Sequence, residues 1–300
     1  MIYRCHRFSN RSNLVYFMIV DKETIVKSLR QFGLVPGDVL VLHSSLSSIG
    51  QVIGGATAVV DAVMEIIGDN GTLLVPTFTF SFKSFGEKHP PFSPSESPSL
   101  CGLISETLWR RPDASRSLHP THSVAAIGFF SREMVKGHDK SSPLGLGSPF
   151  HKLSQIGGKV MLLGVGQDQN SLLHTTETIA QVPYLQVSYS DNQSGTKLAR
   201  VKEGNLIKEV PVSEVPGCSA GFAKAELALR ERGVVEEGMV GLAKAELMKA
   251  ENVVDIMVEK LNADPFFLLC DNPGCTLCVK RKRIGRAILQ STKKKKKYPS

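Results

Sequence analysis

The chain has 300 residues, 42% of them hydrophobic, with six cysteines and a formal net charge of +8. The charge is peripheral: ten Lys or Arg and no acid follow Cys278, and residues 1–17 hold three Arg and no acid, so the body between them carries a net charge of −5. A mildly acidic body suits a cationic small molecule better than a polyanion. No apolar run approaches the roughly 20 residues that span a bilayer, and cysteines this sparse exclude a disulfide scaffold. The expectation is a cytoplasmic protein without a membrane partner. One domain is expected over residues 18–278, between a leader or disordered extension (1–17) and a basic, disordered tail (279–300).

In chain order, Ile25, Val26, Leu29 and Phe32 fall at helical spacing, with Asp21 as N-cap and Gly33 as the stop. "GDVLVLHSS" (37–45) is a short apolar run of the kind buried on both faces of a parallel sheet. "GGATAVVDAVMEIIG" (54–68) returns to helical periodicity, and "TLLVPTF" (72–78) completes a βαβ unit. Residues 81–99, rich in serine and with four prolines, predict a long loop, and such loops are commonly functional.

A helix at "LISETLWRR" (103–111) and strands at "SVAAIGFF" (123–130) and "KVMLLGVG" (159–166) follow, then a helix at "SLLHTTETIAQ" (171–181). "TKLARVKEGNLIKEVPV" (196–212) predicts an antiparallel hairpin turning at residues 203–205. Two helices, "GFAKAELALRERG" (221–233) and "AKAELMKAENVVDIMVEKLN" (243–262), close the body. Their shared "AKAEL" is two copies of common helix formers, not a repeat. The predicted class is α/β: a mostly parallel central sheet flanked by helices, with an antiparallel hairpin and C-terminal helices. Sites are expected at the carboxyl ends of strands.

Three strand ends bear on chemistry. "LHSSLSSIGQVIGGAT" (42–57) supplies hydroxyls and amides before a helix, yet it is neither a dinucleotide fingerprint nor a P-loop. "PTFTF" (76–80) follows the second strand, and "GVGQDQNSLLHTTE" (164–177) a later one. With Asn170 or Ser171 as N-cap, His174 lies in the first helical turn, where the dipole disfavours imidazolium and Glu177 follows on the same face. A neutral imidazole beside a carboxylate is the arrangement of a general base; the plain alternative is an ordinary hydrogen-bonded helix histidine.

His119 and His122 are three apart, but Pro120 argues against one helix face presenting both to a metal. Cys270, Cys275 and Cys278 have C-x4-C-x2-C spacing, one thiolate short of a structural zinc set that Cys101 or Cys218 completes only if the fold brings it near. A cysteine-containing loop closing the last helix is the simpler reading, so no metal is assigned.

In this order, "HSSLSSIG", "GGATAVVDAVMEIIG…GTLLVPTFTF", "RSLHPTHSVAAIG", "GLGSPFHKL" and "LLGVGQDQNSLLHTTE" resemble the aminoglycoside 3-N-acetyltransferases, or antibiotic N-acetyltransferases, over about residues 22–270. The resemblance implies an acetyl-CoA-dependent α/β enzyme, distinct from the GNAT acetyltransferases, that acetylates an amino group of a deoxystreptamine-type antibiotic. It implies His174 as base with Glu177, His43, Ser44, Ser45 and Thr77 near the coenzyme, and His119, Thr121 and His122 lining the substrate. Backbone amides of the Ser44–Ser48 turn, or at the helix start by Ser171, are the expected oxyanion donors. Two alternatives stay open: acetylation of a different small amine, and a non-catalytic nucleic-acid binder that depends on zinc or on the basic tail.

Overall fold

A computed structural model describes residues 19–84, 89–187, 197–214 and 216–297; the expected leader lies outside them. Helix α1 (Lys22–Gln31) begins where expected, with the Asp21 carboxylate accepting from the Thr24 amide at 2.8 Å. Strand β1 (Ile19–Val20) pairs with β3 (Gln51–Val52). The centre is a seven-stranded sheet built from β2 (Val39–Ser44), β4 (Thr72–Pro76), β5 (Ser115–Arg116), β6 (Val124–Gly128), β7 (Lys159–Leu163), β10 (Glu236–Val240) and β11 (Ala243–Lys249), in the order β10-β11-β7-β2-β4-β6-β5. The hairpin β8 (Lys197–Glu203) and β9 (Leu206–Val212) forms a separate two-stranded sheet.

Helices cover both faces of the central sheet. On one side α1, α3 (Gly55–Ile67) and α4 (Leu103–Trp109) bury Leu29, Val63 and Leu108 against Leu40, Leu42 and Leu73. On the other, α6 (Pro149–Gln155), α7 (Leu172–Ile179), α8 (Ala223–Glu231) and α9 (Ala250–Ala263) bury Phe150, Leu173, Leu229 and Met257 against Val41, Val160 and Leu162. Short helices α2 (Leu46–Ile49) and α5 (Ser131–Val135) complete the flanks.

The α/β class and the flanking helices are as expected, but the parallel part is narrow. Only the β7–β2 and β2–β4 pairings are parallel; β4–β6 and β6–β5 on one side, and β7–β11 and β11–β10 on the other, are antiparallel. For β10 and β11 the reason is connection length: only Gly241 and Leu242 join them, and a two-residue turn closes only an antiparallel pair.

That strand pair also corrects an expected helix. "AKAEL" at 223–227 is helical and buries Ala225, whereas the identical pentapeptide at 243–247 is strand β11. There Ala243, Ala245 and Leu247 face one core, while Glu246 and Met248 are buried on the other side. Alternation with burial on both faces defeats the helix propensity of Ala, Glu, Leu and Lys.

The basic segment expected to be disordered from residue 279 is instead part of helix α10 (Thr276–Lys297). Leu277, Cys278 and Arg281 are buried and Ile284 packs on the core, a spacing of three to four residues that docks the first turns of α10. Among the described residues no helix is long and apolar enough to cross a membrane.

Candidate active site

Because β2, β4 and β7 are parallel, their carboxyl ends share one edge of the sheet; β6 runs the other way, so the segment that precedes it reaches the same edge. A cleft of about 560 Å³ opens there. His43 and Ser44 come from β2, Pro76 and Phe78 from the end of β4, His122 from the approach to β6, and Asp168 to His174 from the segment after β7. The long proline-rich loop adds Phe82 and His89 to the cleft lining.

The start of α7 is positioned by a buried polar relay. Glu246 of β11 accepts from Gln167 Nε2 at 3.0 Å, Gln167 Oε1 accepts from Asn170 Nδ2 at 2.9 Å, and Asn170 Oδ1 accepts from the Leu172 amide at 3.2 Å. Asn170 is thus the side chain that satisfies a first-turn N–H of α7. His174 lies in that first turn, 9% exposed, on the wall of the cleft.

The His174 Nδ1 is 2.7 Å from Glu177 Oε2, and its ring meets Phe222 edge-on at 4.6 Å. Glu177 is 3% exposed and its Oε1 accepts from Tyr184 Oη at 2.9 Å. Burial alone would raise the Glu177 pKa; the hydrogen bond and charge of His174, the Arg281 charge and the Tyr184 hydroxyl outweigh it and hold the carboxyl below its ordinary value. An ionised Glu177 accepts only, so in the neutral ring Nδ1 carries the hydrogen and Nε2 the lone pair.

Arg281 of α10 closes the rear of this pair. Its guanidinium lies 5.4 Å from the Tyr184 ring centroid and its Nε donates to Val187 O at 3.1 Å. It passes so close to Gly217 that a Cβ there would stand 2.1 Å from Arg281 Nη1, and the guanidinium would have to shift. The spacing of "SLLHTTE" pointed to His174 and Glu177, but Tyr184 and Arg281 carried no local signal: each reaches the pair through the tertiary fold.

The remaining expected residues divide. His43 is buried on the cleft wall, stacked on Phe150 at 6.0 Å, and its Nε2 has no hydrogen-bond partner among the described residues; burial pulls its pKa down to about 4. Ser44 lines the cleft, but the Ser45 hydroxyl is engaged with Ser47 and Ser48. Thr77 is fully buried, with its hydroxyl held by Ser123 at 2.9 Å and Arg116 at 3.3 Å, so it braces the sheet edge instead of reaching the cleft.

The expected oxyanion amides are partly spent: Ser45 donates to Leu163 O, Ser48 to Ser45 O, and Leu172 to Asn170. Of the histidine pair, His122 reaches the cleft among Phe78, Phe80 and Phe82. His119 does not. Its Nδ1 accepts the Thr121 and His122 amides, its ring meets that of His138 at 4.7 Å with a 34° tilt, and it lines a separate groove beside the β8–β9 hairpin. Thr121 is fully buried, its hydroxyl 2.9 Å from His122 Nδ1. Burial, reinforced by neighbouring histidines, holds the pKa of both His119 and His122 well below the ordinary value. Asp168 was missed: its "GQDQN" context marks it only as a turn residue, yet it puts a carboxylate on the cleft wall.

Over most of its length the chain is similar to one group of known proteins. The family profile described as aminoglycoside 3-N-acetyltransferase matches residues 41–262. Aminoglycoside N(3)-acetyltransferase IV of Salmonella sp is 32% identical over 250 residues, covering 83% of this chain and 90% of that protein. Aminoglycoside N(3)-acetyltransferase III of Serratia marcescens is 33% identical, covering 80% and 96%. Among solved structures, a histidine-to-alanine mutant of aminoglycoside acetyltransferase AAC(3)-IVa in complex with a gentamicin superposes with a TM-score of 0.77 at 29% identity, covering 88% of this chain and 97% of that one.

Proposed function

The chain belongs to the aminoglycoside 3-N-acetyltransferase family, and from that premise we propose that it transfers acetyl from acetyl-CoA to the 3-amino group of a deoxystreptamine-type aminoglycoside, conferring antibiotic resistance, with His174 as general base. The observation that carries this reading is His174 on the cleft wall backed by the buried Glu177, a pairing that commits Nδ1 to the carboxylate and leaves the Nε2 lone pair for a substrate proton.

A substrate ammonium must lose a proton before its nitrogen can attack a thioester. His174 Nε2 takes that proton, and Glu177 stabilises the imidazolium that forms. General-base help of this kind contributes about 10²–10⁴-fold. Bound acetyl-CoA supplies an acyl carbon activated toward an amine and a thiolate leaving group. The cleft fits such a group: Phe78 and His122 offer apolar and aromatic surface, and the buried His43 Nε2, unpartnered among the described residues, offers a polar contact beside Ser44. Asp168 meets a cationic acceptor, and the mild acidity of the body favours the approach of a polyamine.

A second reading is the same chemistry on a different small amine. Two of the ten tail cations serve the fold: Arg281 is buried and Lys282 is tied to Asp271 at 2.9 Å. Release of free coenzyme A thiol, measured across a panel of aminoglycosides and simple amines, tests the proposal. Turnover restricted to aminoglycosides, with product acetylated at N3, supports it; turnover with simple amines and none with aminoglycosides contradicts it.

A further inference from the structure

We propose that Cys218, Cys270, Cys275 and Cys278 bind one Zn²⁺ in a closed, structural tetrathiolate site. The sequence supplies three of these cysteines in C-x4-C-x2-C spacing; the fold supplies the fourth from 52 residues before Cys270. The four sulfurs lie within 4.8 Å of one another, and Cys218 Sγ is 3.9 Å from Cys270 Sγ. Zn–S bonds of about 2.3 Å in a tetrahedron place sulfurs about 3.8 Å apart, so the cluster needs only slight contraction to close on the ion.

The surroundings suit a thiolate cluster. The Ala220 amide is directed at Cys218, the Cys278 amide at Cys275 and the Cys270 amide at Cys278, so backbone N–H groups already point at the sulfurs. Lys224 Nζ donates to Leu269 O and Lys282 Nζ to Cys270 O, both at 2.9 Å, so two cations and the one Asp271 carboxylate that pairs with both leave a net positive charge beside a centre that is negative when metallated. The segments bearing Cys218 and Cys270 approach so closely that a Cβ on Gly221 would sit 2.3 Å from Leu268 O.

Four protein ligands leave no open coordination position, so the ion acts on architecture and not on substrate. It ties three segments together: the turn before α8, the segment after α9, and the first turn of α10. The first carries Phe222 to the face of His174, and the last carries Arg281 to the rear of Glu177. Zinc in this position holds both walls of the base pair, at a distance from the reacting atoms.

The test is metal analysis of the intact protein purified under reducing conditions with zinc in the medium. One zinc per chain is expected, released together with four reactive thiols by a mercurial reagent. Exchange into Co²⁺ is expected to give the intense visible bands of a tetrahedral thiolate complex. Cys275→Ser and Cys278→Ser lose zinc, while Cys101→Ser retains it; removal of zinc from the wild type by chelation lowers the thermal midpoint whether or not the serine variants fold. Protein that binds neither zinc nor Co²⁺ with its thiols free, or that carries a Cys218–Cys270 disulfide, overturns the proposal. These readouts do not depend on turnover, so they stand or fall separately from the acetyl-transfer reading.

Discussion

Glu177 sits one turn beyond His174 on α7 and holds its Nδ1 at 2.7 Å, with both side chains almost wholly withdrawn from water. A buried carboxylate is costly unless its oxygens are satisfied, and here both are: Oε2 by His174 and Oε1 by Tyr184. The pair is therefore a fixed unit, oriented by Asn170 at the helix start and flanked by Arg281 from the last helix.

Glu177→Gln keeps an acceptor for Nδ1 but removes the charge that stabilises imidazolium. Turnover is expected to fall by about 10²–10⁴-fold with substrate KM changed only a few-fold. Steady-state kinetics under saturating acetyl donor check this, and a KM effect without a kcat effect would assign Glu177 to substrate binding.

Tyr184→Phe preserves the ring stacked on Phe266 at 6.0 Å and under Arg281, while leaving Glu177 Oε1 without its donor. Loss of a hydrogen bond to a buried charged group predicts destabilisation of about 1–3 kcal/mol, read from denaturant midpoints. The tyrosine itself stays neutral, because burial and the adjacent carboxylate push its pKa far up.

Asp168→Asn removes a carboxylate from the cleft wall without touching the base pair. For a polycationic aminoglycoside, KM is expected to rise about 10- to 100-fold, the value of one charge-assisted hydrogen bond, with kcat nearly unchanged. The effect should shrink for acceptors of lower charge.

Acid stability follows from the buried histidines. His138 is bonded at both ring nitrogens, to Ser117 and to Pro143 O, and burial pulls its pKa from 6.5 down to about 4; His43 is depressed to about 4 as well. Between these values the unfolded chain binds more protons than the folded one, so stability is fully present above pH 6.5 and is lost as pH falls toward about 4. Each such histidine contributes a slope of about 1.4 kcal/mol per pH unit at most, and His138→Gln should flatten the acid limb by about that amount.

How far the sequence discloses this molecule depends on the range of the interaction. Elements whose identity is set by their own periodicity, such as α1, α3, β2 and β4, were legible, and so was the His174–Glu177 spacing, since it lies within one helical turn. The two copies of "AKAEL" show the limit: five identical residues are helix in α8 and strand in β11, because only the tertiary fold supplies β7 as a pairing partner for the second. Thr77 and His119 illustrate the same point at the site. Thr77 lies between the cleft residues Pro76 and Phe78, and His119 three residues before the cleft residue His122, yet Ser123 and Arg116 hold the first, and backbone amides and His138 hold the second. The docking of α10 was hidden by its lysines and arginines, which mask the apolar spacing of Leu277, Cys278 and Ile284.

The central claim is that His174 removes the proton from the acceptor amine, and His174→Ala tests it most directly when turnover and acetyl-donor affinity are measured on the same preparation. A fall in kcat of about 10²–10⁴-fold with donor binding retained is the predicted result. Turnover within a few-fold of the parent enzyme would contradict it and move the base elsewhere on the cleft.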